Sequence, residues 1–169
     1  MIDTARILVD WLCNLKCPYC CNEQDRFRKD IKPTTLDAID FAKYKVFCVS
    51  GGEPLLHIEK MKSVCARIPK DKLTILYTNG ILMSEANAAL IESLGISGVN
   101  VGLHYPKSFD NLIARVTEAT KATKLIIRFH LQDIYEKEYT AKFPNVAFRF
   151  WKMDDCDRGN EERFVLTNP

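Results

Sequence analysis

The chain has 169 residues, enough for one domain with a sizeable hydrophobic core. Hydrophobic residues make up 47% and charged residues 27%, and the formal net charge of +2 is too small to indicate nucleic acid as a partner. No apolar run reaches the roughly 18 residues of a membrane span, and the N-terminal segment lacks the layout of a secretory signal. We therefore expect a cytoplasmic protein without membrane partners. An odd count of seven cysteines fits poorly with a complete disulfide framework.

Apolar runs alternate with amphipathic stretches along the whole chain. The apolar runs predict six strands, at 5–12, 45–52, 72–80, 98–105, 124–132 and 145–153. The amphipathic stretches predict five helices, at 34–44, 57–68, 84–95, 108–122 and 134–143. Residues 154–169 are predicted to form a polar C-terminal tail of the single domain 1–169.

Strict alternation of strands and helices predicts a parallel sheet with helical crossovers. A closed eight-unit barrel usually needs about 250 residues, more than this chain offers. The expected fold is therefore α/β, a partial (β/α)6 TIM-like barrel with parallel strands. A flat doubly wound sheet is the alternative.

Four cysteines follow the first predicted strand, and three of them have the spacing C-x3-C-x2-C: Cys13, Cys17 and Cys20. Three thiolates suit a soft metal or an iron–sulfur cluster, and a [4Fe–4S] cluster with three protein ligands leaves one iron open to a small molecule. The alternatives are three buried thiols or a zinc site, which needs a fourth ligand. Cys21 falls outside the spacing and is predicted to be a small packing residue.

Three features together resemble the radical S-adenosylmethionine (radical SAM) enzymes. They are the cysteine spacing, the aromatic Tyr19 just before the last cysteine, and "GGEP" at 51–54 after the second predicted strand. The segment "YTNG" at 77–80 resembles a further recurring segment of that family. The resemblance covers nearly the whole chain, because the family uses a six-unit partial barrel with these motifs at these strand ends.

The resemblance implies an oxygen-sensitive enzyme with two cofactors, a [4Fe–4S] cluster and S-adenosyl-L-methionine. Cys13, Cys17 and Cys20 would hold the cluster, and Tyr19 would lie near the adenine. The methionine part of S-adenosylmethionine would chelate the open iron. One electron would then cleave the sulfonium, and the resulting 5′-deoxyadenosyl radical would abstract a hydrogen atom from the substrate.

The GGEP segment also has a physical interpretation that needs no family. Gly51 and Gly52 let the backbone approach a ligand closely, and Pro54 stiffens the exit of the turn. Glu53 and the neighbouring backbone could receive the α-ammonium of a bound amino acid. An ordinary turn is the alternative.

Polar residues at later strand ends are further candidates. Thr78 and Asn79 could hold the methionine or ribose portion of S-adenosylmethionine, although Asn79 also fits a plain Asn-Gly turn. His104 lies at the end of the fourth predicted strand on its polar face, where barrel enzymes place their chemistry.

The fifth strand and the tail supply the remaining candidates. Arg128 and His130 share a face; Arg128 could fix a carboxylate, and His130 could bind substrate or donate a proton near neutral pH. For both histidines a satisfied, partly buried side chain is the alternative. Cys156 in the tail could be a thiol on the substrate side.

Several substrates and partners fit these residues. The substrate could be a small molecule, such as a nucleoside or a deazapurine precursor. The alternatives are activation of a glycyl radical enzyme such as an anaerobic ribonucleotide reductase, modification of a nucleotide in DNA, or a non-enzymatic iron–sulfur or zinc protein. The basic segment 26–32 could meet an acidic electron donor such as a flavodoxin or ferredoxin, or be a solvated loop.

Overall fold

The computed structural model describes residues 2–152 and 160–167. Within them lie eight strands: β1 Thr4–Leu8, β2 Ile31–Thr34, β3 Val46–Ser50, β4 Leu73–Thr78, β5 Gly98–Gly102, β6 Ile126–Gln132, β7 Phe148–Trp151 and β8 Glu161–Leu166. They form one sheet in the order β2-β8-β1-β3-β4-β5-β6-β7, and all the pairings are parallel. No pairing in the described part of the chain joins β2 to β7, so the sheet is an open, partial barrel.

The helices connect successive strands. They are α1 Asp25–Arg28, α2 Ile58–Arg67, α3 Glu85–Ser93, α4 Phe109–Thr120 and α5 Glu136–Lys142. The last four confirm four of the five predicted helices. Helix α3 also begins and ends as its sequence indicates, since the Ser84 side chain accepts a hydrogen bond from the Asn87 backbone and Gly95 has a φ of +81°.

The predicted helix at 34–44 is wrong. Only a single 3-10 turn, Leu36–Ala38, forms there. The Asp40 carboxylate accepts a hydrogen bond from the Ala42 backbone N–H at 3.0 Å, so this side chain caps a local turn and competes with helical pairing. Ile39 and Phe41 are still buried, which explains the apolar spacing that suggested a helix.

All six predicted strands exist, and the fold class is confirmed. The two strands that the sequence analysis missed are β2 and β8, of which β8 lies in the segment predicted to be a polar tail. Strand β8 is inserted between the edge strand β2 and β1, although it carries charged residues on its inner face. Those charges hid the strand from an analysis based on apolar runs.

The strands separate an outer layer of helices from a polar lumen. In β5, Val99 and Val101 are buried in the main hydrophobic core, whereas Asn100 and Gly102 line the cavity on the opposite face. This alternation is readable in the sequence of the strand and places polar side chains inside the barrel. In the residues described, the helices are too short or too polar to span a lipid bilayer.

Candidate active site

The carboxyl ends of the central strands and the loop after β1 enclose one cavity of about 270 Å³. Parallel strands bring their carboxyl ends to the same edge, so residues far apart in sequence meet there. Three segments predicted from the sequence contribute to the wall: the cysteine loop, the glycines of GGEP, and the end of β4.

The thiols of Cys13, Cys17 and Cys20 all line this cavity, and all three are free and partly exposed. Burial and the neighbouring cysteines raise the pKa of Cys17 to about 11, and burial also raises the pKa of Cys20. In the described chain no three metal-ligating side chains are already gathered at metal-binding spacing. A bound metal would favour the thiolate forms that the protein alone disfavours. Three free thiols on one irregular loop therefore fit an iron–sulfur cluster by donor chemistry.

The cysteine loop is held by the GGEP segment through the backbone. Gly52 N–H donates to the Asp10 carbonyl and Glu53 N–H to the Leu12 carbonyl, each at 2.9 Å. A side chain on Gly52 would place its Cβ 2.1 Å from the Leu12 oxygen, and one on Gly51 would be 2.5 Å from the Asp10 oxygen. Both glycines are therefore required by this close approach, and both also line the cavity.

Glu53 is fully buried and does not line the cavity. Its carboxylate accepts hydrogen bonds from the Leu55 backbone, the Thr78 hydroxyl and the Asn79 backbone, at 2.7–3.0 Å. Burial raises the pKa of this carboxyl, against the lowering effect of those donors. Contrary to the sequence expectation, the carboxylate joins the ends of β3 and β4 and is not presented to a ligand ammonium. Pro54 is likewise buried, in the 3-10 turn that follows.

Thr78 and Asn79, the candidates for holding the methionine or ribose portion of S-adenosylmethionine, both line the cavity. The Asn79 side-chain amide donates to Asn14 Oδ1 at 2.7 Å and lies 3.8 Å from Cys13 Sγ. Gly80 follows with a φ of +72°, so the Asn-Gly turn is also present. The turn directs the amide towards the cysteine loop.

An aromatic group closes one side of the cavity. The Tyr19 hydroxyl donates to the His104 carbonyl at 2.5 Å, and the Tyr19 ring lies 5.5 Å from the Trp151 ring and 6.0 Å from the His104 ring, centre to centre. Burial lowers the pKa of His104, and its Nδ1 has no hydrogen-bond partner among the described residues. Trp151 was missed by the sequence analysis, although it lies within the predicted strand at 145–153.

The two candidates on β6 have different environments. His130 lines the cavity, and burial, followed by the charge of Arg149, lowers its pKa to about 3. His130 is thus neutral at pH 7, and the predicted imidazolium proton donor near neutral pH is not supported. Arg128 is exposed and is not part of the cavity wall, contrary to its expected contact with a carboxylate there. Cys156 lies outside the described residues.

Charged residues on the lumen side of β1 and β8 were missed. Arg6, Glu161 and Arg163 line the cavity, and one oxygen of the Glu161 carboxylate accepts from both guanidinium groups, at 2.8 and 2.9 Å. Arg6 itself could have indicated a charged inner face, because it is a charged residue between Ala5 and Ile7 within a predicted strand. Both of these neighbours are buried.

Two of the remaining cysteines, Cys48 and Cys65, have packing roles. Cys48 lies in β3 and Cys65 in α2, and both are buried. Cys21 packs against a small hydrophobic cluster formed by Leu8, Phe27, Ile31 and Val165.

The basic segment after the cysteine loop is partly engaged within the chain. The Arg28 guanidinium lies 4.9 Å from the centre of the Trp11 ring, and Lys32 forms an ion pair with Glu162 at 2.6 Å. Lys29 is exposed. These contacts leave a smaller basic surface than the sequence indicated.

Residues 12–131 match the family model of the Radical SAM superfamily. Among curated proteins, GTP 3′,8-cyclase of Chlorobaculum tepidum is 27% identical over 156 residues, covering 75% of this chain and 46% of that protein. GTP 3′,8-cyclase of Clostridium perfringens strain SM101 is 34% identical over 165 residues, covering 91% of this chain and 49% of that protein. The chain thus spans about half the length of the curated relatives it matches.

A crystal structure of BtrN in complex with AdoMet and 2-DOIA shares the fold, with a TM-score of 0.53 at 19% identity over 76% of this chain and 57% of that one. The family match covers most of the chain and includes the cysteine loop, GGEP and YTNG segments. The family's cofactors are a [4Fe–4S] cluster and S-adenosylmethionine, and the three cavity thiols fit the first of them. The chain therefore belongs to the radical SAM superfamily of enzymes.

Proposed function

We propose that this chain cleaves S-adenosylmethionine reductively and that the 5′-deoxyadenosyl radical abstracts a hydrogen atom from a small substrate in the lumen. The observation that carries the proposal is a shared cavity: the free thiols of Cys13, Cys17 and Cys20 open on the same space as the polar lumen. Bound at these thiols, the cluster supplies the electron for the cleavage. Because the thiols and the lumen share one cavity, the 5′-deoxyadenosyl radical would reach the substrate with little exposure to water.

The protein's own contribution is to bind and orient the two small molecules. Gly51 and Gly52 form the wall beside the thiols, where the amino-acid end of S-adenosylmethionine would lie. Tyr19 and Trp151 offer an aromatic wall for a nucleobase. Thr78 at the end of β4 lines the same cavity, with its hydroxyl donating to Glu53.

For the substrate, we favour a small nucleoside-like molecule. The cavity of about 270 Å³ is near the lower end of the roughly 300–1,000 Å³ typical of ligand sites, which favours a small molecule over a protein segment. The curated relatives named above are GTP 3′,8-cyclases, which supports a nucleotide or nucleoside. The electron would come from an acidic donor protein at the basic surface that includes Lys29.

The substrate proposal is tested by isotope transfer. The anaerobically reconstituted and reduced protein is incubated with S-adenosylmethionine and, separately, with deuterated guanosine, GTP or a deazapurine precursor. We expect one of them to raise 5′-deoxyadenosine formation at least about tenfold and to transfer deuterium into it. Absence of transfer from all three would contradict a nucleoside-like substrate. A stable cluster without any 5′-deoxyadenosine would instead indicate a non-enzymatic iron–sulfur protein.

A further inference from the structure

The cysteine loop, residues 10–20, is not held in place by burial of its own side chains. In this range, which is described throughout, there is no helix or strand, and every residue is at least partly exposed. The three thiols line the lumen cavity on one side of the loop and a second, outer cavity of about 450 Å³ on the other. Such a loop would lose much conformational entropy on taking up a cluster unless other contacts already held it.

A first tether comes from helix α2 and reaches the loop before Cys13. Lys60 Nζ donates to Asp10 Oδ2 at 2.6 Å. The other oxygen of the same carboxylate accepts a hydrogen bond from the Leu12 backbone N–H at 3.1 Å. Helix α2 is itself anchored, because Met61, the residue after Lys60, is fully buried in the main core. The Asp10 carboxylate therefore connects a packed helix with the backbone that leads directly into Cys13.

A second tether comes from the loop after β5 and reaches the cysteine loop before Cys17. The Tyr105 hydroxyl donates to the Lys16 carbonyl at 2.8 Å. Tyr105 lies between Leu103 and Phe109, which are both buried in the main core. The hydroxyl therefore connects the peptide bond between Lys16 and Cys17 with a packed part of the barrel.

We infer that Lys60 and Tyr105 are positioning residues for the cluster, because they hold the cysteine loop at Asp10 and Lys16 in its binding conformation before the cluster arrives. Neither residue belongs to the cysteine, GGEP or YTNG segments. Holding a loop in its bound conformation beforehand reduces the entropy that binding costs. The loop must also open to release iron, and both tethers oppose that opening.

The inference rests on the proposed function in one respect, that the thiols bind an iron–sulfur cluster. It is tested by the rate of iron release to EDTA from the anaerobically reconstituted full chain. Tyr105→Phe removes one hydroxyl and Lys60→Met one cation, and each should raise the rate about three- to tenfold, as expected for the loss of one hydrogen bond. Lys60→Arg keeps a cationic donor opposite Asp10 and should release iron nearly as slowly as the wild type.

Each tether variant has a matched control outside the cysteine loop. Tyr139→Phe removes a hydroxyl hydrogen bond of 3.1 Å to Asp110, and Lys62→Met removes an exposed ion pair with Glu59 on α2. Both controls should release iron at the wild-type rate. The electron paramagnetic resonance signal of the reduced cluster should change in the two tether variants and not in the controls, because only the tethers position the cysteines. A general loss of stability would not alter that signal.

A wild-type release rate in either tether variant, an equal rise in its control, or an unchanged resonance signal would overturn the inference. Tyr105 is 40% exposed and its variant loses only a hydroxyl, so Tyr105→Phe decides the question if Lys60→Met does not fold. Failure of the proposed function is a separate result, because it would appear as absent 5′-deoxyadenosine while the differences in iron release persist.

Discussion

The side-chain amide of Asn79 lies against the thiol of Cys13, with 3.8 Å between Asn79 Nδ2 and Cys13 Sγ. The same nitrogen donates to Asn14 Oδ1, and Asn79 Oδ1 accepts from the Ile81 backbone at 3.0 Å, which fixes the orientation of the amide. Both N–H groups of Asn79 are thus committed to the cysteine loop. The residue is placed to influence a cluster on Cys13 more directly than to bind a nucleotide.

Asn79→Ala should lower the reduction potential of the reconstituted cluster, because hydrogen bonds to cluster sulfur ligands are among the factors that set that potential. The measurement is an anaerobic redox titration followed by electron paramagnetic resonance. Asn87→Ala, which removes an amide bonded to the Leu82 carbonyl on the outer layer, is the control. Equal potentials in Asn79→Ala and the wild type would contradict this role.

Gly52→Ala should prevent stable cluster incorporation. The added methyl group would lie 2.1 Å from the Leu12 carbonyl oxygen, so the backbone that carries the cysteine loop would have to move. Gly98→Ala is the matched control, since its nearest new contact is an ordinary 3.7 Å from Ile75. Iron and sulfide content after reconstitution is the measurement, and normal content in Gly52→Ala would show that the close approach is not needed.

Glu53→Gln should destabilise the fold by about 1–3 kcal/mol, the cost of leaving a buried partner unpaired. The carboxylate accepts from backbone N–H groups on both oxygens, so either orientation of a glutamine amide faces one N–H with another. Glu59→Gln on the exposed side of α2 should change the free energy of unfolding by less than about 1 kcal/mol. Urea unfolding measures both variants, and equal stabilities would indicate that Glu53 is not a structural link.

Acid should destabilise the protein through His130. Its pKa is lowered from 6.5 to about 3 on folding, so between these values the unfolded chain binds a proton that the folded chain does not. The free energy of unfolding therefore falls as the pH drops below 6.5, by about 2 kcal/mol at pH 5 from this residue. His130→Gln should lose correspondingly less stability between pH 7 and pH 5 in thermal melts. Parallel losses in the two proteins would contradict the buried neutral imidazole.

Sequence patterns predicted those parts of the fold that depend on local periodicity. The alternation of Val99 and Val101 with Asn100 and Gly102 identified both faces of β5, and the cysteine spacing identified the loop that opens on the cavity. Sequence patterns predict such features because the environment of each residue is decided by its position within a single strand or loop.

Features that depend on partners distant in sequence were missed. Glu161 in β8 is stabilised inside the sheet by Arg6, 155 residues earlier, and neither residue reveals the pairing alone. Glu53 likewise bonds to Thr78 and Asn79 on the next strand, so its burial could not be read from the GGEP motif. The predicted helix at 34–44 was wrong because a segment of turns can bury the same apolar residues that a helix would bury.

The most direct test of the account is 5′-deoxyadenosine formation by wild-type protein, Cys17→Ala and Cys21→Ser after anaerobic reconstitution and reduction. We predict that wild type and Cys21→Ser bind about four irons per chain and form 5′-deoxyadenosine and methionine from S-adenosylmethionine. Cys17→Ala should form neither above background. Full cleavage by Cys17→Ala, or none by a wild-type protein that carries its cluster, would contradict the assignment of Cys13, Cys17 and Cys20 as the ligands of a cluster that cleaves S-adenosylmethionine.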